Sequence, residues 1–197
     1  LTGGDSYEMD IFLGVIISLV VIFYLWYFSI IGKRNKGLES LSGIDVQLKK
    51  RSNLIPNILK IAQKFLQHEK SLITEITELR EQTDKGYDKT DKNAVQQHLQ
   101  VSELLSGKMG QLMVRVEDYP DLKSDQTMIQ AMQTYNEVEA QIAAARRFYN
   151  ASVTALNNSV QIFPGNIIAN MAGVSEMPFY ETDEAAKAPV DASDYLK

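Results

Sequence analysis

The run Ile11–Ile31, which reads IFLGVIISLVVIFYLWYFSII, decides the architecture of this 197-residue chain. It contains 21 residues without a charged side chain. A helix of this length is about 31 Å long at 1.5 Å per residue, which matches the hydrocarbon thickness of a bilayer. A cleavable signal peptide has a shorter apolar region with a basic flank before it. A buried core helix is rarely apolar on every face. The run is therefore predicted to span a membrane.

The charges that flank the run predict its orientation. The ten residues before it carry only acidic charges, whereas three basic residues follow it closely, namely Lys33, Arg34 and Lys36. Basic residues next to a span remain on the cytoplasmic side. We therefore expect residues 1–10 to form a short extracytoplasmic N-terminus and residues 11–31 to cross the cytoplasmic (inner) membrane. Everything after Gly32 is expected in the cytoplasm.

Composition excludes several classes of protein. The chain has no cysteine, which rules out disulfide scaffolds, iron–sulfur clusters and thiol nucleophiles. A formal net charge of −5 argues against a nucleic-acid partner. Residues 33–80 nevertheless hold ten basic and five acidic side chains. Such a region beside a span can attract anionic lipid headgroups, and an ordinary solvated helix face has the same pattern.

The remainder of the chain has the apolar periodicity of helices. Apolar residues recur every three or four positions from Leu38 to Leu79, with Glu69 in the place of one of them. Because this stripe keeps its phase across Pro56, a kinked long helix is favoured there over a reversal of the chain. Residues 83–91 read as a polar turn, and residues 92–117 as a further amphipathic helix.

The C-terminal half contains the longest periodic segment. Pro120 ends the preceding helix, and Ser124 or Asp125 can cap the next one. From Met128 to Phe163 the apolar positions recur about every 3.5 residues, which is typical of a coiled-coil seam. We therefore predict an all-α fold, with a single N-terminal transmembrane helix followed by an elongated antiparallel bundle of three to four long helices. The bundle is expected over residues 33–180, and a flexible tail over residues 181–197.

No residue pattern indicates chemistry. The two histidines are preceded at the third position by Phe65 and Val95, where a di-iron bundle would need Glu. The sequence contains no glycine-rich phosphate loop and no nucleophile elbow. We therefore expect a protein that is not an enzyme, with no catalytic residue, no cofactor and no metal site.

Four motifs are more specific than this general periodicity. They are RSNLIPN (51–57), EDYPDLK (117–123), EAQIAAARRFYN (139–150) and NNSVQIFPGN (157–166). Together with the single span ahead of them, they resemble the LemA family of bacterial membrane proteins over residues 9–180. The resemblance implies a cytoplasmic, elongated helical bundle on a membrane anchor. It leaves the activity open, although relatives have been connected with membrane organisation and magnetosome formation. The family often has an acid where this chain has Asn53, which puts any role for an acid there in doubt.

The motif residues have mainly structural interpretations. Pro56, between Asn53 and Asn57, reads as a kink or a helix start, and Tyr119 with Pro120 as the turn between two helices. Phe163 and Pro164 end the long helix. The third motif contains Arg146, Arg147, Tyr149 and Asn150. Its two arginines and its tyrosine are expected to pack or pair inside the bundle, and a lipid-phosphate site is the alternative.

Two further positions carry specific hypotheses. Gly14 and Ser18 form a small-xxx-small step, which lets two membrane helices approach closely. Glu69 stands where the stripe expects an apolar residue, and an unpaired carboxylate in a core is strongly unfavourable. Our hypothesis is that Glu69 pairs with Arg146 or Arg147, with the hydroxyl of Tyr149 as a further donor. The alternative is that the apolar stripe drifts at this point and Glu69 faces water.

Two functions remain open from the sequence. The first is a non-enzymatic scaffold that self-associates as a homo-oligomer at the cytoplasmic face of the lipid bilayer. The second is an adaptor that recruits or regulates another membrane protein, such as a protease or an envelope-stress component. No nucleic acid partner is expected for either.

Overall fold

The computed structural model describes residues 3–66 and 68–181, and within these ranges the chain is helical and forms no strand. The helices are α1 (Gly3–Ala62), α2 (Lys70–Thr83), α3 (Lys92–Glu117), α4 (Pro120–Lys123), α5 (Gln126–Gln161) and α6 (Gly165–Met171). The prediction of an all-α fold is confirmed. Apart from Glu181, the predicted flexible tail lies outside the described residues.

Helix α1 is 60 residues long and contains the predicted span and the first motif in one element. It continues through Pro56, so the chain does not reverse there. A proline inside a helix removes one backbone hydrogen bond. The pyrrolidine ring of Pro56 is exposed, while Ile55 and Ile58 beside it are fully buried. Packing on the inner face therefore holds the helix together across this position.

The chain reverses instead between Ala62 and Lys70, where the sequence had predicted one uninterrupted stripe. That part of the prediction is wrong. Leu66 is buried inside the turn, and Glu69 is the N-cap of α2. Both helices of this hairpin bury their apolar residues in the same core. The turn between them has a length that keeps the apolar positions of both helices in one continuous phase along the sequence. Periodicity along the chain cannot distinguish this arrangement from a single helix.

Helices α1, α2, α3 and α5 pack as an up-down-up-down bundle. Arg51 contacts Glu139 while Lys33 contacts Ser159, so α5 runs antiparallel to α1. Lys108 of α3 pairs with Glu75 of α2, and these two helices are also antiparallel. Helix α3 has the bounds that the sequence predicts. Of the two capping residues considered for α5, Asp125 is the N-cap, and its carboxylate accepts a hydrogen bond from the amide of Met128 at 2.9 Å.

The buried apolar residues form two clusters along the bundle. The proximal core lies near the predicted span and contains Ile30, Leu41, Ile44, Tyr149 and Leu156 among others. The distal core lies towards the α1–α2 turn and contains Ile55, Ile58, Leu105, Leu112 and Met128 among others. The polar residue Arg51 lies between the two clusters along α1. From Met9 to Leu25, by contrast, α1 extends beyond the bundle.

Candidate functional site

The outer part of α1 is the largest apolar surface that the structure describes. The large apolar side chains between Met9 and Phe28 are 40–69% exposed, with half-buried Trp26 as the exception. The helix Glu8–Ala62 is long and apolar enough to cross a membrane, and none of its most apolar stretch is buried. A soluble protein rarely exposes apolar patches larger than a few hundred Å². The outer part of α1 therefore differs from a core helix of a soluble domain.

The small-xxx-small step lies on this exposed surface. The hydroxyl of Ser18 donates a hydrogen bond to the carbonyl of Gly14, one turn back, at 2.9 Å. Apart from the adjacent backbone of α1, no described residue has an atom within 4 Å of the place where Gly14 would carry a Cβ. The face is open to a second helix, and its role in association remains a prediction.

Three basic residues mark the junction between the outer part of α1 and the bundle. Lys33 is half-buried, and its ammonium group donates a hydrogen bond to the hydroxyl of Ser159 on α5. Lys36 pairs with Glu39 at 3.1 Å and lies 5.1 Å from the centre of the Phe148 ring. Arg34 is also half-buried. The junction is therefore cationic and is packed against the end of α5.

Arg51 of the first motif is the centre of a buried polar cluster. Its side chain is 1% exposed, and its guanidinium donates to Glu139 at 3.2 Å and to the carbonyl of Ser102 at 2.9 Å. The hydroxyl of Ser106 donates to the second oxygen of Glu139 at 3.1 Å. Burial, together with the charge of Glu139, raises the pKa of the neighbouring Tyr135. One arginine thus connects α1, α3 and α5.

A carboxylate in the loop between α2 and α3 receives several donors. Asp84 accepts hydrogen bonds from Ser52 at 2.9 Å and from Lys49 at 3.0 Å, and Arg80 lies 3.5 Å away. Burial raises the pKa of Asp84, but these hydrogen bonds and cations outweigh it and lower the pKa overall. The residue is therefore held as an anion that fastens the loop to α1.

The same loop contacts α1 and α3 through a second set of side chains. The hydroxyl of Tyr87 donates to Asp45 at 2.9 Å, and Lys89 pairs with Asp45 at 2.6 Å. The ring of His98 stacks on Tyr87 with centres 4.1 Å apart, and its Nε2 atom lies 3.6 Å from Asp45, beyond a hydrogen bond. Burial lowers the pKa of His98 despite the opposing charge of Asp45. His98 is a packed, neutral histidine.

Residues of the third and fourth motifs bind the segment that follows α6. Tyr149 is fully buried, and its hydroxyl donates to the carbonyl of Pro178 at 2.7 Å. The amide group of Asn150 pairs with the backbone of Tyr180 in both directions, at 3.0 and 2.9 Å. Asn157 makes the same two-way pairing with Met177, at 3.0 Å in both directions. These hydrogen bonds hold the non-helical segment Val174–Tyr180, which we call the returning segment, against α5. The spacing of the motifs gave no indication of them.

The prediction that Glu69 pairs with Arg146 or Arg147 is wrong. Glu69 lies 3.5 Å from Arg115, near the end of α3. Arg146 pairs with Glu103 at 3.6 Å and lies 5.5 Å from the centre of the Tyr180 ring, while Arg147 is exposed. The turn between α1 and α2 places Glu69 at the far end of the bundle, whereas Arg146 lies midway along α5. The hydroxyl of Tyr149 is bound to Pro178 instead.

The remaining motif residues lie at the surface or at helix ends. Asn53, Pro56 and Asn57 are exposed on the outer face of α1. Tyr119 is the N-cap of α4, and Pro120 is its first residue. Helix α5 ends at Gln161, so Phe163 and Pro164 connect it to α6.

The structure also contains a groove along α3 opposite the end of the returning segment. Its volume is about 700 Å³, and its lining includes Leu99, Leu104, Lys108 and Phe179. Across the part of the chain that is described, no three histidine or acidic residues are grouped so that they could hold a metal ion.

These features define a class of protein: an all-helical bundle whose first helix extends outwards as an exposed apolar rod. The sequence profile of the LemA family matches residues 40–193. The chain belongs to the LemA family.

Curated relatives include two kinds of bacterial protein. Magnetosome protein MamQ 1 of Paramagnetospirillum magneticum is 25% identical over 169 residues, which cover 76% of this chain and 62% of the relative. Magnetosome protein MamQ of Magnetospirillum gryphiswaldense is 24% identical over the same length. Protein LemA of Metamycoplasma hominis is 22% identical over 187 residues, which cover 91% of this chain and 83% of the relative. The chain thus spans less than two thirds of the length of the magnetosome relatives.

Proposed function

We propose that this chain is a non-enzymatic membrane scaffold, anchored by residues 11–31 with its N-terminus outside and its bundle on the cytoplasmic side, and that copies of it self-associate at the inner membrane. The exposed apolar rod of α1 is the observation that carries the proposal. Apart from Trp26, its large apolar side chains are exposed, and a lipid bilayer is the environment that solvates such a surface.

The orientation is supported by the charges at the two ends of the rod. Glu8 and Asp10 precede the uncharged run, and Lys33, Arg34 and Lys36 follow it. The positive-inside rule favours a cytoplasmic bundle. The relatives that are named as magnetosome proteins support a membrane location.

Topology is tested by cysteine labelling, because the chain has no cysteine of its own. In intact cells a membrane-impermeant maleimide should label Glu8→Cys and leave Lys85→Cys unlabelled until the membrane is opened. Both positions are exposed, which makes them a matched pair. The reverse pattern would refute the orientation, and equal labelling of both would refute the span.

Self-association is tested by the mass of the full-length chain in mild detergent, measured by light scattering. A homomeric particle larger than one chain is expected. Gly14→Leu should lower the assembled fraction without changing membrane insertion, whereas Val15→Leu, at a neighbouring exposed position, should not. A monomer at all concentrations would contradict the scaffold.

A monomer would instead support the alternative, an adaptor that recruits another membrane protein. The groove along α3, with exposed Leu104 beside it, is the feature that favours this alternative. An adaptor predicts that Leu104→Glu abolishes co-purification of a stoichiometric membrane-protein partner while Val114→Glu, an exposed change elsewhere on α3, preserves it.

A further inference from the structure

The corner between α5 and α6 is the second apolar surface that the bundle leaves uncovered. Its apolar side chains are exposed by 60% at Ile162, 73% at Phe163, 53% at Ile167 and 72% at Met171. The chain carries no charged residue from Phe148 to Ser175. We call Ile162, Phe163, Ile167 and Met171 together the α5–α6 corner. An exposed apolar patch that also lacks charges is unusual at the end of a water-soluble bundle.

The position of the corner along α1 follows from two contacts. Lys33 faces Ser159, and Trp26 faces Gly165, whose Cβ position would lie 3.4 Å from the Trp26 ring. Phe163 lies in the chain between Ser159 and Gly165, so the corner lies beside the stretch of α1 from Trp26 to Lys33, which includes Phe28. Phe28 itself belongs to the uncharged run that ends at Ile31. The corner thus lies on the span side of the basic junction, at a level that the proposed span assigns to the bilayer.

The depth can be estimated from the helix rise. Phe28 is three residues and Trp26 five residues before the end of the run, which corresponds to about 5 and 8 Å. Apolar side chains of interfacial helices lie about 5–10 Å deep, at the boundary between headgroups and acyl chains. The exposed amides of Asn166 and Asn170 on α6 suit this boundary, where polar groups still reach water and headgroups.

Close packing holds the corner against α1. A Cβ on Gly165 would collide with the carbonyl oxygen of Ser159, so only glycine permits the chain to turn this tightly beneath the end of α5. Ile168 and Ala169 on the inner face of α6 are buried in the proximal core together with Ile30. The corner is therefore a fixed part of the bundle, and its exposed face is presented beside α1.

We propose that the α5–α6 corner is a second membrane contact, which inserts Ile162, Phe163, Ile167 and Met171 into the cytoplasmic interface of the bilayer beside the span. The occupant of this surface is lipid, with acyl chains against the four side chains and headgroup phosphates near Lys33 and Arg34. Two points of contact fix the height and tilt of the bundle above the membrane, which a single helix would leave free. This proposal rests on the span proposed above.

The test places one reporter at each of three positions in the full-length chain. Ile17→Cys, Phe163→Cys and Val114→Cys are all exposed sites, in the proposed span, the corner and the distal part of α3 respectively. Each variant is labelled with an environment-sensitive fluorophore and reconstituted into phosphatidylcholine–phosphatidylglycerol vesicles. Some of the vesicles contain lipids with a quencher at the headgroup or deep in the acyl chain.

The expected result is a different depth for each label. The deep quencher should affect position 17 most, the shallow quencher should reduce the emission at position 163 at least twofold, and neither should affect position 114. Met171→Cys serves as a second label on the corner and should behave like position 163. Circular dichroism should be the same for all labelled chains, because none of the changed side chains is buried.

Three outcomes would overturn the proposal, and each has a distinct meaning. If position 17 is quenched while 163 and 171 behave like 114, the span is supported and the corner does not contact lipid. If position 17 is not quenched, the proposed span itself fails, and the depth argument fails with it. If positions 163 and 171 are protected from aqueous iodide but not quenched by lipid, a second protein surface covers the corner.

Discussion

The two halves of α1 belong to one continuous helix but present opposite surfaces. In the outer half, up to Phe28, the large apolar side chains are exposed, with half-buried Trp26 as the exception. In the inner half, from Ile30 onwards, only a stripe is buried, which includes Ile30, Leu41, Ile44, Ile55 and Ile58. Both halves belong to one α-helix, and its one proline, Pro56, lies in the inner half. The difference shows that the other helices of the chain stabilise the inner half, whereas the outer half depends on its surroundings.

The comparison is tested most strongly by the same substitution in each half. Ile44→Ala should lower the free energy of unfolding of the bundle by about 2–5 kcal/mol, because it opens a cavity in the proximal core. Ile16→Ala should change it by less than about 0.5 kcal/mol, as an exposed position does. Urea unfolding of the full-length chain in detergent, followed by circular dichroism, measures both. Equal losses would mean that the two halves are not energetically separate.

A second prediction concerns the polar residue of the inner half. Arg51→Met removes the guanidinium that donates to the carboxylate of Glu139 and to the carbonyl of Ser102. Breaking such a buried pair costs about 3–5 kcal/mol. We expect the lower end of this range, because the side chain of Glu139 retains 28% exposure. The matched control is Arg147→Met on the exposed face of α5, which should be close to neutral in the same unfolding experiment. A neutral Arg51→Met would show that apolar packing alone holds the inner half.

Tyrosines allow a comparison of the bundle that packs on the inner half with the outer half of α1. Tyr149→Phe leaves the buried carbonyl of Pro178 without its donor and should cost about 1–2 kcal/mol of bundle stability. Tyr24→Phe on the exposed outer half should leave bundle stability unchanged. Hydrogen exchange at the amides of Met177 and Tyr180 should also accelerate in Tyr149→Phe. Unchanged exchange there would mean that Asn150 and Asn157 hold the returning segment by themselves.

A smaller effect is expected from pH, in the bundle that packs on the inner half. Because burial lowers the pKa of His98, the folded chain binds a proton less readily than the unfolded chain. Stability should therefore decrease as the pH falls below about 6.5, the ordinary value for histidine. His98→Gln should flatten this dependence, measured as the urea midpoint between pH 7.5 and 5.5. An unchanged dependence in His98→Gln would show that other groups cause it.

The smallest effect is expected at the tip of the bundle. Glu69→Gln should cost about 0.5 kcal/mol or less, because water screens a pair whose arginine is more than half exposed. The difference from the wild type should vanish in 1 M salt, which screens exposed charges. A cost of several kcal/mol that persists in salt would indicate a buried partner for Glu69 after all.

Local signals in the sequence were sufficient for much of the fold. The bounds of α3 and the cap of α5 by Asp125 depend on interactions within one helical turn. The uncharged length of the outer half of α1 is a property of composition alone. These features were predictable because the residues that cause them are neighbours in the chain.

Contacts between distant parts of the chain could be seen only in the tertiary structure. Arg51 meets Glu139 from 88 positions away, and Asn150 meets Tyr180 from 30 positions away. The reversal between Ala62 and Lys70 was hidden because both helices of the hairpin keep one apolar phase. The level of the α5–α6 corner beside Trp26 likewise depends on how α5 is aligned against α1. The sequence by itself determined which surfaces are apolar and approximately where α3 and α5 begin and end. The packing of the helices decided which residues contact each other. These contacts depend on the shape and burial of helices that are far apart in the sequence, so no periodic pattern in the sequence reveals them.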